Sequence, residues 1–314
     1  MRYRRLGASS CKVSAISFGS WLTVGSSIDQ ETTNALVRAA FERGVNLFDT
    51  ADVYAHGAAE KALGAAIKPL RRSDVVLATK CFFPMSEKVN DRGLSRKHVV
   101  ESVHASLARL QTDYLDLMQC HRFDPDTAVD ELVRAMEDLI RQGKVLYWGV
   151  SCWSTAEIAA ACESADRWRA FRPITNQPPY NLLDREIELK VMAASAKLGL
   201  SQIVFSPLAQ GLLTGKYAGG RVPPKSRASD DRHNGFLKPK MTAENLSRAE
   251  KAADLARKFG RSPAAVALAW VLRRPEVASA IVGATRVAQL EENLEAAELD
   301  LPADLVRELD LLCT

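Results

Sequence analysis

Short apolar runs alternate along this chain with longer segments in which apolar residues recur every three or four positions. The short runs predict β-strands, and the longer segments predict amphipathic helices. One helical stripe contains Leu36 and Ala40, and another contains Leu132, Met136 and Leu139. Strands that alternate with helices in this way are typical of βα units around a parallel sheet.

The alternation yields about eight strand–helix units, which is the number in a closed (β/α)8 TIM barrel, an α/β fold. The predicted strands are residues 14–18, 45–49, 75–79, 115–120, 145–150, 174–177, 202–205 and 278–282. The predicted helices are residues 31–43, 58–66, 96–110, 128–142, 156–163, 186–198, 243–259, 263–273 and 287–297. Roughly the first ten to fifteen residues predict a β-hairpin ahead of the barrel.

No linker rich in Pro, Gly or Ser divides the chain, so residues 1–314 are predicted to form a single domain. One segment breaks the alternation: residues 206–241 hold glycines, prolines and mixed charges and predict a long loop after strand seven. A loop longer than about 15 residues in a compact domain is usually a lid or a binding element.

Composition narrows the class of protein. Hydrophobic residues make up 47% of the chain and charged residues 25%, which excludes a disordered or fibrous protein. The net charge of +4 is spread along the sequence and does not favour a nucleic-acid partner. No apolar stretch approaches the roughly 18 residues of a membrane span, and the basic start lacks the apolar segment of a signal peptide. We therefore expect a cytoplasmic protein without a membrane span.

The six cysteines stand singly, without the spacing of a disulfide framework or a zinc site. We therefore expect reduced thiols and no metal centre. These residues are Cys11, Cys81, Cys120, Cys152, Cys162 and Cys313.

Four polar residues follow successive predicted strands. Asp49 ends the second strand and Tyr54 comes five residues later, while Lys80 follows the third strand and His121 the fourth. Because the carboxyl ends of barrel strands meet at one mouth, these side chains should converge there. An Asp49–Lys80 ion pair alone is compatible with a structural role. Beside an ammonium, however, the phenol of Tyr54 should have a lowered pKa and exchange a proton with a carbonyl oxygen.

A second group of polar residues follows the eighth predicted strand, in residues 283–293 (GATRVAQLEEN). Helix N-termini and the guanidinium of Arg286 attract phosphate, and barrels commonly bind phosphate after strands seven and eight. A dinucleotide that donates a hydride would fit both this site and the polar cluster.

The motifs along the chain resemble those of the aldo-keto reductase family. The resemblance covers nearly the whole chain, and its version with GKV and SPLA is similar to the branch that includes voltage-gated potassium channel β-subunits and bacterial relatives. The motifs are residues 48–57 (FDTADVYAHG), 78–80 (ATK), 107–121 (LARLQTDYLDLMQCH), 143–151 (GKVLYWGVS), 176–181 (NQPPYN) and 205–208 (FSPL).

The resemblance implies an NADP-dependent oxidoreductase that reduces a small-molecule carbonyl substrate with NADPH, without a Rossmann domain or metal. It implies that Tyr54 is the general acid and that Lys80 lowers its pKa. Asp49 would then hold Lys80, and His121 would orient the carbonyl. A homo-oligomer is among the expected states, since relatives range from monomers to tetramers.

The resemblance also implies a set of cofactor-binding residues, in which Arg227 and Arg286 favour NADPH because NADH lacks the 2′-phosphate that they could pair with. Two positions depart from the pattern: Lys225 replaces a frequent aromatic residue, and Cys152 replaces a frequent Arg. The implied cofactor-binding residues are Gly19, Ser20, Trp21, Asp49, Ser151, Asn176, Gln177, Phe205, Ser206, Pro207, Leu208, Gln210, Lys216, Arg227, Gly283, Thr285, Arg286, Gln289, Glu292 and Asn293.

Aromatic residues on the predicted loops suggest an apolar substrate pocket at the barrel mouth. Two alternatives to the reductase stay open. The chain could be a redox-sensing partner subunit that holds NADPH with little turnover, or an aldolase-like barrel in which Lys80 forms a Schiff base. The expected substrate contacts are Trp21, Tyr54, Phe82, His121 and Trp153.

Overall fold

Eight parallel strands close into a barrel, in the order β10, β3, β4, β5, β6, β7, β8 and β9. The computed structural model describes residues 1–224, 226–232 and 234–312. The predicted (β/α)8 barrel and the N-terminal hairpin are thereby confirmed. The strands are β1 (Tyr3–Arg5), β2 (Lys12–Ser14), β3 (Ile16–Gly19), β4 (Leu47–Asp49), β5 (Val76–Cys81), β6 (Leu115–Cys120), β7 (Val145–Val150), β8 (Thr175–Asn176), β9 (Ser201–Val204) and β10 (Val277–Val282).

Helices surround the barrel, and several begin at polar capping residues. Asp29 caps the first helix by accepting a hydrogen bond from the Thr32 amide, and Ser154 forms a capping box with Glu157. The helices are α1 (Gln30–Glu42), α2 (Ala58–Ile67), α3 (Arg96–Leu110), α4 (Val129–Arg141), α5 (Thr155–Trp168), α6 (Glu186–Leu189), α7 (Val191–Lys197), α8 (Ala243–Lys258), α9 (Pro263–Leu272), α10 (Val287–Leu294) and α11 (Ala303–Leu311).

The hairpin of β1 and β2 closes the amino-terminal end of the barrel. Its residues Leu6 and Val13 are fully buried against inward-facing strand residues such as Leu47, Ala78 and Leu117. This inner cluster is separate from the larger layer of apolar residues between the strands and the helices. The hairpin therefore excludes water from one end, which leaves the opposite end for the functional site.

Helices α2 and α3 pack closely because Gly64 in α2 has no side chain. A β-carbon at Gly64 in α2 would lie 2.6 Å from the backbone oxygen of Leu110 at the end of α3. Only glycine allows the two helices this approach. The amphipathic stripe of α4 is buried as predicted, with Leu132, Met136 and Leu139 on the barrel side.

Several predicted boundaries are wrong, and in three cases the predicted element is divided. Predicted strand 14–18 is divided between the hairpin and the barrel, because the chain passes from β2 to β3 at Ala15. Predicted helix 186–198 breaks at Lys190, whose φ is −143°, and Glu188 in its first part is held by Arg185. Predicted helix 287–297 ends as an α-helix at Leu294 and continues as a 3₁₀ turn.

The segment after β9 contains no α-helix in its described part before α8, as predicted. It folds into short 3₁₀ turns at Ala209–Thr214, Ala218–Gly220, Arg227–Ser229 and Lys238–Lys240. Helix α11, which the sequence pattern did not predict, buries only Leu305 and Leu309. Among the described residues, no helix combines the length and apolar character that crossing a membrane requires.

Candidate active site

The strand geometry brings four polar side chains to the carboxyl end of the barrel. Asp49 is the last residue of β4, and Lys80 lies in β5 two positions beyond the inward-facing Ala78. Since strand side chains alternate in direction, Lys80 also points inward. Tyr54 begins a 3₁₀ turn after β4, and His121 directly follows β6.

Lys80 is fully buried and lies at the centre of this group. Its Nζ donates hydrogen bonds to Oδ1 of Asp49 at 2.6 Å and to the backbone oxygen of Thr50 at 2.7 Å, and it lies 3.3 Å from the hydroxyl of Tyr54. Burial opposes the charge of Lys80, but the Asp49 carboxylate and Tyr54 outweigh it and raise the lysine's pKa. A lysine kept protonated in this way is a poor nucleophile, which argues against Schiff-base chemistry.

The pKa of Tyr54 differs from the expectation. Burial raises it above its ordinary value of 10.0, and the Lys80 ammonium offsets only part of that rise. The prediction that Lys80 pulls this pKa toward neutrality is therefore wrong in its net direction. The cause is that the hydroxyl lies in a buried setting, where the phenolate is costly. In this state Tyr54 is a neutral phenol that can donate a proton.

His121 is neutral for a related reason. Burial lowers the pKa of its imidazole well below 6.5, and the positive charges of Lys80 and Arg122 lower it further. Its Nδ1 atom is buried and accepts or donates no hydrogen bond within the described part of the chain. The ring contacts Tyr54, with 5.7 Å between ring centroids. A neutral imidazole at this place can hydrogen-bond to an oxygen atom brought next to the Tyr54 hydroxyl.

A cavity of about 2230 Å³ runs from this group to the loops after β9 and β10. Its volume exceeds the roughly 300–1,000 Å³ of a typical small-ligand site, so a ligand of dinucleotide size can be accommodated. The predicted site residues that line it are Gly19, Trp21, Asp49, Tyr54, His121, Ser151, Gln177, Phe205, Ser206, Pro207, Leu208, Gln210, Lys216, Arg227, Gly283, Thr285, Arg286, Gln289, Glu292 and Asn293.

Besides Lys80, four other predicted site residues do not line the cavity. Trp153, expected to contact substrate, is 2% exposed and packs against Phe123 with 5.0 Å between ring centroids. Phe82 packs against the core, and the neighbouring Phe83 lines the cavity instead. Ser20 is buried and donates a hydrogen bond to Thr50.

The fourth, Asn176, is fully buried in β8 and keeps an unused acceptor. Its Nδ2 donates to Gln202 at 3.3 Å, but its Oδ1 has no hydrogen-bond partner among the described residues. Nδ2 of Asn293, at the other end of the cavity, is likewise buried and unpaired in that part of the chain. Buried polar atoms without partners are costly. A polar ligand that reaches them would supply the missing hydrogen bonds.

Positive charge gathers at the end of the cavity far from Tyr54. Burial lowers the pKa of Lys216, and repulsion from Arg227 and Arg286 lowers it further. Burial also lowers the pKa of Arg227, whose guanidinium donates to the side-chain oxygen of Gln210. Cations held this close to each other at a cavity wall fit an anionic ligand such as phosphate. Lys225, in the same loop, lies outside the described residues.

The backbone after β9 is strained where it meets the cavity. Ser206, Ala209 and Gln210 have φ values of 51°, 48° and 60°, in the left-handed region that residues other than glycine rarely adopt. Asn181 holds this turn, because its Nδ2 donates to the backbone oxygen of Ser206 at 3.0 Å. Such strain is found at functional sites where the surrounding structure fixes it.

Sequence reasoning missed several cavity residues, among them Arg122 and Phe236. Arg122 directly follows His121, so its position next to a strand end was the signal that could have identified it. Phe236, in the segment after β9, contacts Trp21 with 4.9 Å between ring centroids, and no sequence pattern marked it. Its side chain is 58% exposed, so it forms part of the rim.

The described residues contain no group of three or more His, Cys, Asp and Glu side chains that could hold a metal ion. Five of the six cysteines are described, and they carry free thiols. Cys313 lies outside the described residues.

Comparisons with known proteins agree with this geometry. The sequence profile described as "Aldo/keto reductase family" matches residues 15–313. The chain is 41% identical over 302 residues to a "Probable voltage-gated potassium channel subunit beta" from Oryza sativa subsp. japonica, an alignment that covers 95% of this chain and 92% of that protein.

Two further relatives match this chain with a similar coverage. A "Probable voltage-gated potassium channel subunit beta" from Arabidopsis thaliana is 40% identical over 302 residues, with 95% of this chain and 92% of the relative covered. A "Putative voltage-gated potassium channel subunit beta" from Schizosaccharomyces pombe is 39% identical over 317 residues, with 98% and 92% covered.

Proposed function

This chain belongs to the aldo/keto reductase family, and we propose that it reduces aldehydes and ketones to alcohols with NADPH in the cytoplasm. When bound, the cofactor supplies the hydride that adds to the carbonyl carbon. The protein's part is to hold the carbonyl oxygen and to give it a proton. The observation that carries the proposal is the Tyr54 hydroxyl, which lines the cavity within 3.3 Å of the Lys80 ammonium.

Tyr54 is the proton donor in this proposal. Its raised pKa keeps the phenol protonated before the reaction. As negative charge develops on the carbonyl oxygen, the proton passes from the Tyr54 hydroxyl to that oxygen. His121 donates a hydrogen bond to the same oxygen as a neutral imidazole, which holds the carbonyl in place without competing as an acid.

Lys80 and Asp49 act after the proton has left. The phenolate of Tyr54 would be costly in this buried place, and the adjacent ammonium of Lys80 stabilises it. Asp49 keeps the lysine charged and fixes its direction through the 2.6 Å ion pair. Tyr54 then regains a proton from solvent through the open part of the cavity.

The unpaired polar groups of the cavity support a nicotinamide dinucleotide as cofactor. Ser151 and Gln177 line the cavity and would hold its carboxamide, together with the adjacent Asn176, whose buried Oδ1 lacks a partner among the described residues. Lys216 and Arg227 would hold phosphate groups, which would relieve their mutual repulsion. We favour NADPH over NADH because Arg227 and Arg286 could pair with the 2′-phosphate that NADH lacks.

The test is the initial rate of NADPH oxidation with a panel of aliphatic, aromatic, sugar and dicarbonyl substrates, with NADH in parallel. Tyr54→Phe should reduce turnover by about 10²- to 10⁴-fold and leave NADPH binding nearly intact, because the hydroxyl acts in the transition state. Tyr3→Phe is a matched control, since that hydroxyl bonds to the Gly44 backbone outside the cavity. Full turnover in Tyr54→Phe would contradict the mechanism.

A second candidate function comes from the names of the relatives, which are described as channel subunits. In that case the chain would bind NADPH tightly and serve as a redox-sensing subunit of a partner protein. Tight NADPH binding, no turnover across the panel, and a stoichiometric partner in a pull-down with the full chain would favour this function over the reductase.

A further inference from the structure

Arg122 is a half-buried cation at the wall of the cavity, next to the residues that would hold the carbonyl. Its Nη1 donates to the backbone oxygen of His121 and lies 3.5 Å from the hydroxyl of Ser151. The guanidinium carbon lies 5.6 Å from the centroid of the Phe83 ring. One edge of the guanidinium is thus anchored to the protein, and the rest faces the cavity.

This guanidinium has no counterion in the described part of the chain. Its protein contacts are a carbonyl, a hydroxyl and an aromatic ring, none of which carries a negative charge. The carboxylate of Asp49, which lines the same cavity, is already paired, since Lys80 binds one of its oxygens and Gln177 the other. A cation that is partly removed from water and lacks a partner favours an incoming anion.

We propose that Arg122 binds a carboxylate of the substrate, so that the preferred substrates are aldehydes or ketones that carry a carboxylate group. This inference rests on the proposed reductase function. The charge count favours a carboxylate: with Asp49 and Lys80 neutralising each other, Arg122 supplies one uncompensated positive charge, which matches a monoanion. The planar guanidinium also matches the two oxygens of a carboxylate.

The neighbouring walls indicate what links the two functional groups of such a substrate. Phe83 lies beneath Arg122, and its ring centroid is 4.8 Å from that of His121. Trp21 and Phe236 contact each other and line another apolar part of the cavity. We therefore expect a short aliphatic or aromatic spacer between the carbonyl and the carboxylate.

The test compares substrates that differ only in charge. The pairs are para-carboxybenzaldehyde with para-formylbenzamide, and succinic semialdehyde with its amide. For the wild type, kcat/KM should be about 10- to 100-fold higher for the acid than for the amide, as expected for a charge-assisted hydrogen bond.

Arg122→Gln should bring that ratio close to one, chiefly through KM, and Arg122→Lys should restore part of it. Arg134→Gln, which removes an arginine stacked on Trp168 outside the cavity, should leave the ratio unchanged.

A binding measurement gives a second readout that does not need turnover. With NADP⁺ present, para-carboxybenzyl alcohol should quench tryptophan fluorescence more strongly in the wild type than in Arg122→Gln. Equal kcat/KM values for acid and amide in the wild type would overturn this inference while the reductase stands. Loss of all turnover with carboxylate binding intact would instead count against the reductase. A stronger preference for glyceraldehyde 3-phosphate than for the carboxylates would show that the site selects a phosphate, and the proposal would be wrong.

Discussion

Gln177 directly follows β8, and its side-chain amide donates a hydrogen bond of 2.8 Å to Oδ2 of Asp49 at the end of β4. The other oxygen of that carboxylate accepts from Lys80. Asp49 therefore joins a residue expected to hold the cofactor to the lysine expected to assist proton transfer. A change at Asp49 should affect both stability and activity.

Asp49→Asn should leave the ammonium of Lys80 buried without its counterion. Removing one partner of a buried ion pair typically lowers the free energy of unfolding by about 3–5 kcal/mol, and we expect a loss in that range together with loss of turnover. Denaturant titration of the purified variant measures the first effect. Asp300→Asn is the matched control, because its partner Arg2 lies on the surface and no measurable change is expected. Equal free energies of unfolding for Asp49→Asn and the wild type would show that the ion pair does not stabilise the fold.

The pH dependence of reduction should be flat across the neutral range. Proton donation requires protonated Tyr54, whose pKa is raised above 10.0, so kcat/KM should fall only at strongly alkaline pH. His121 has a pKa well below 6.5 and stays neutral, so it should cause no break near that pH. A profile of kcat/KM from about pH 6 to about pH 9 tests both statements. A pKa near 6.5 that disappears in His121→Asn would show that the imidazole titrates during the reaction.

Asp52 should make the protein less stable as the pH rises. Burial and the nearby Glu60 raise the pKa of this carboxyl from 3.8 to about 7. Between these values the folded protein holds a proton that the unfolded chain has released. Stability therefore falls as pH rises through this window, by up to about 4 kcal/mol in total, and the loss persists above it.

Asp52→Asn should remove this penalty, because an amide carries no charge and can keep the contacts with the Val53 amide and the Ser102 hydroxyl. We expect a higher melting temperature than the wild type at pH 8 and little difference at pH 4. Thermal unfolding at both values checks the expectation. Parallel pH dependences for variant and wild type would show that Asp52 does not titrate in this range.

Arg227→Met and Arg286→Met should weaken NADPH binding more than NADH binding. A charge-assisted hydrogen bond contributes about 1.5–3 kcal/mol, so the Kd for NADPH should rise by about 10- to 100-fold. Fluorescence titration with NADPH and with NADH measures the two Kd values. If the Kd values for NADPH and NADH rise by the same factor, the arginine binds the shared pyrophosphate rather than the 2′-phosphate.

Local sequence patterns predicted most of the fold because each βα unit has its own apolar run and its own amphipathic stripe. Strand β6 and strand β7 begin and end where the apolar runs do. Strand β8 is shorter than predicted, with only Thr175 and Asn176 in the ladder. Helix α11 is short and was not predicted, and only Leu305 and Leu309 in it are buried. Its place depends on Trp270, whose Nε1 donates to Asp310 from a distant part of the chain.

The sequence by itself determined the barrel and the meeting of Asp49, Tyr54, Lys80 and His121. The ends of the strands and the residue types that follow them can both be identified from the local sequence. Only the tertiary structure decided the electrostatics. Burial, which depends on every neighbouring element, raises the pKa of Tyr54 although Lys80 lies beside it. The same packing places Trp153 in the core and leaves Arg122 at the cavity wall without a counterion in the described chain.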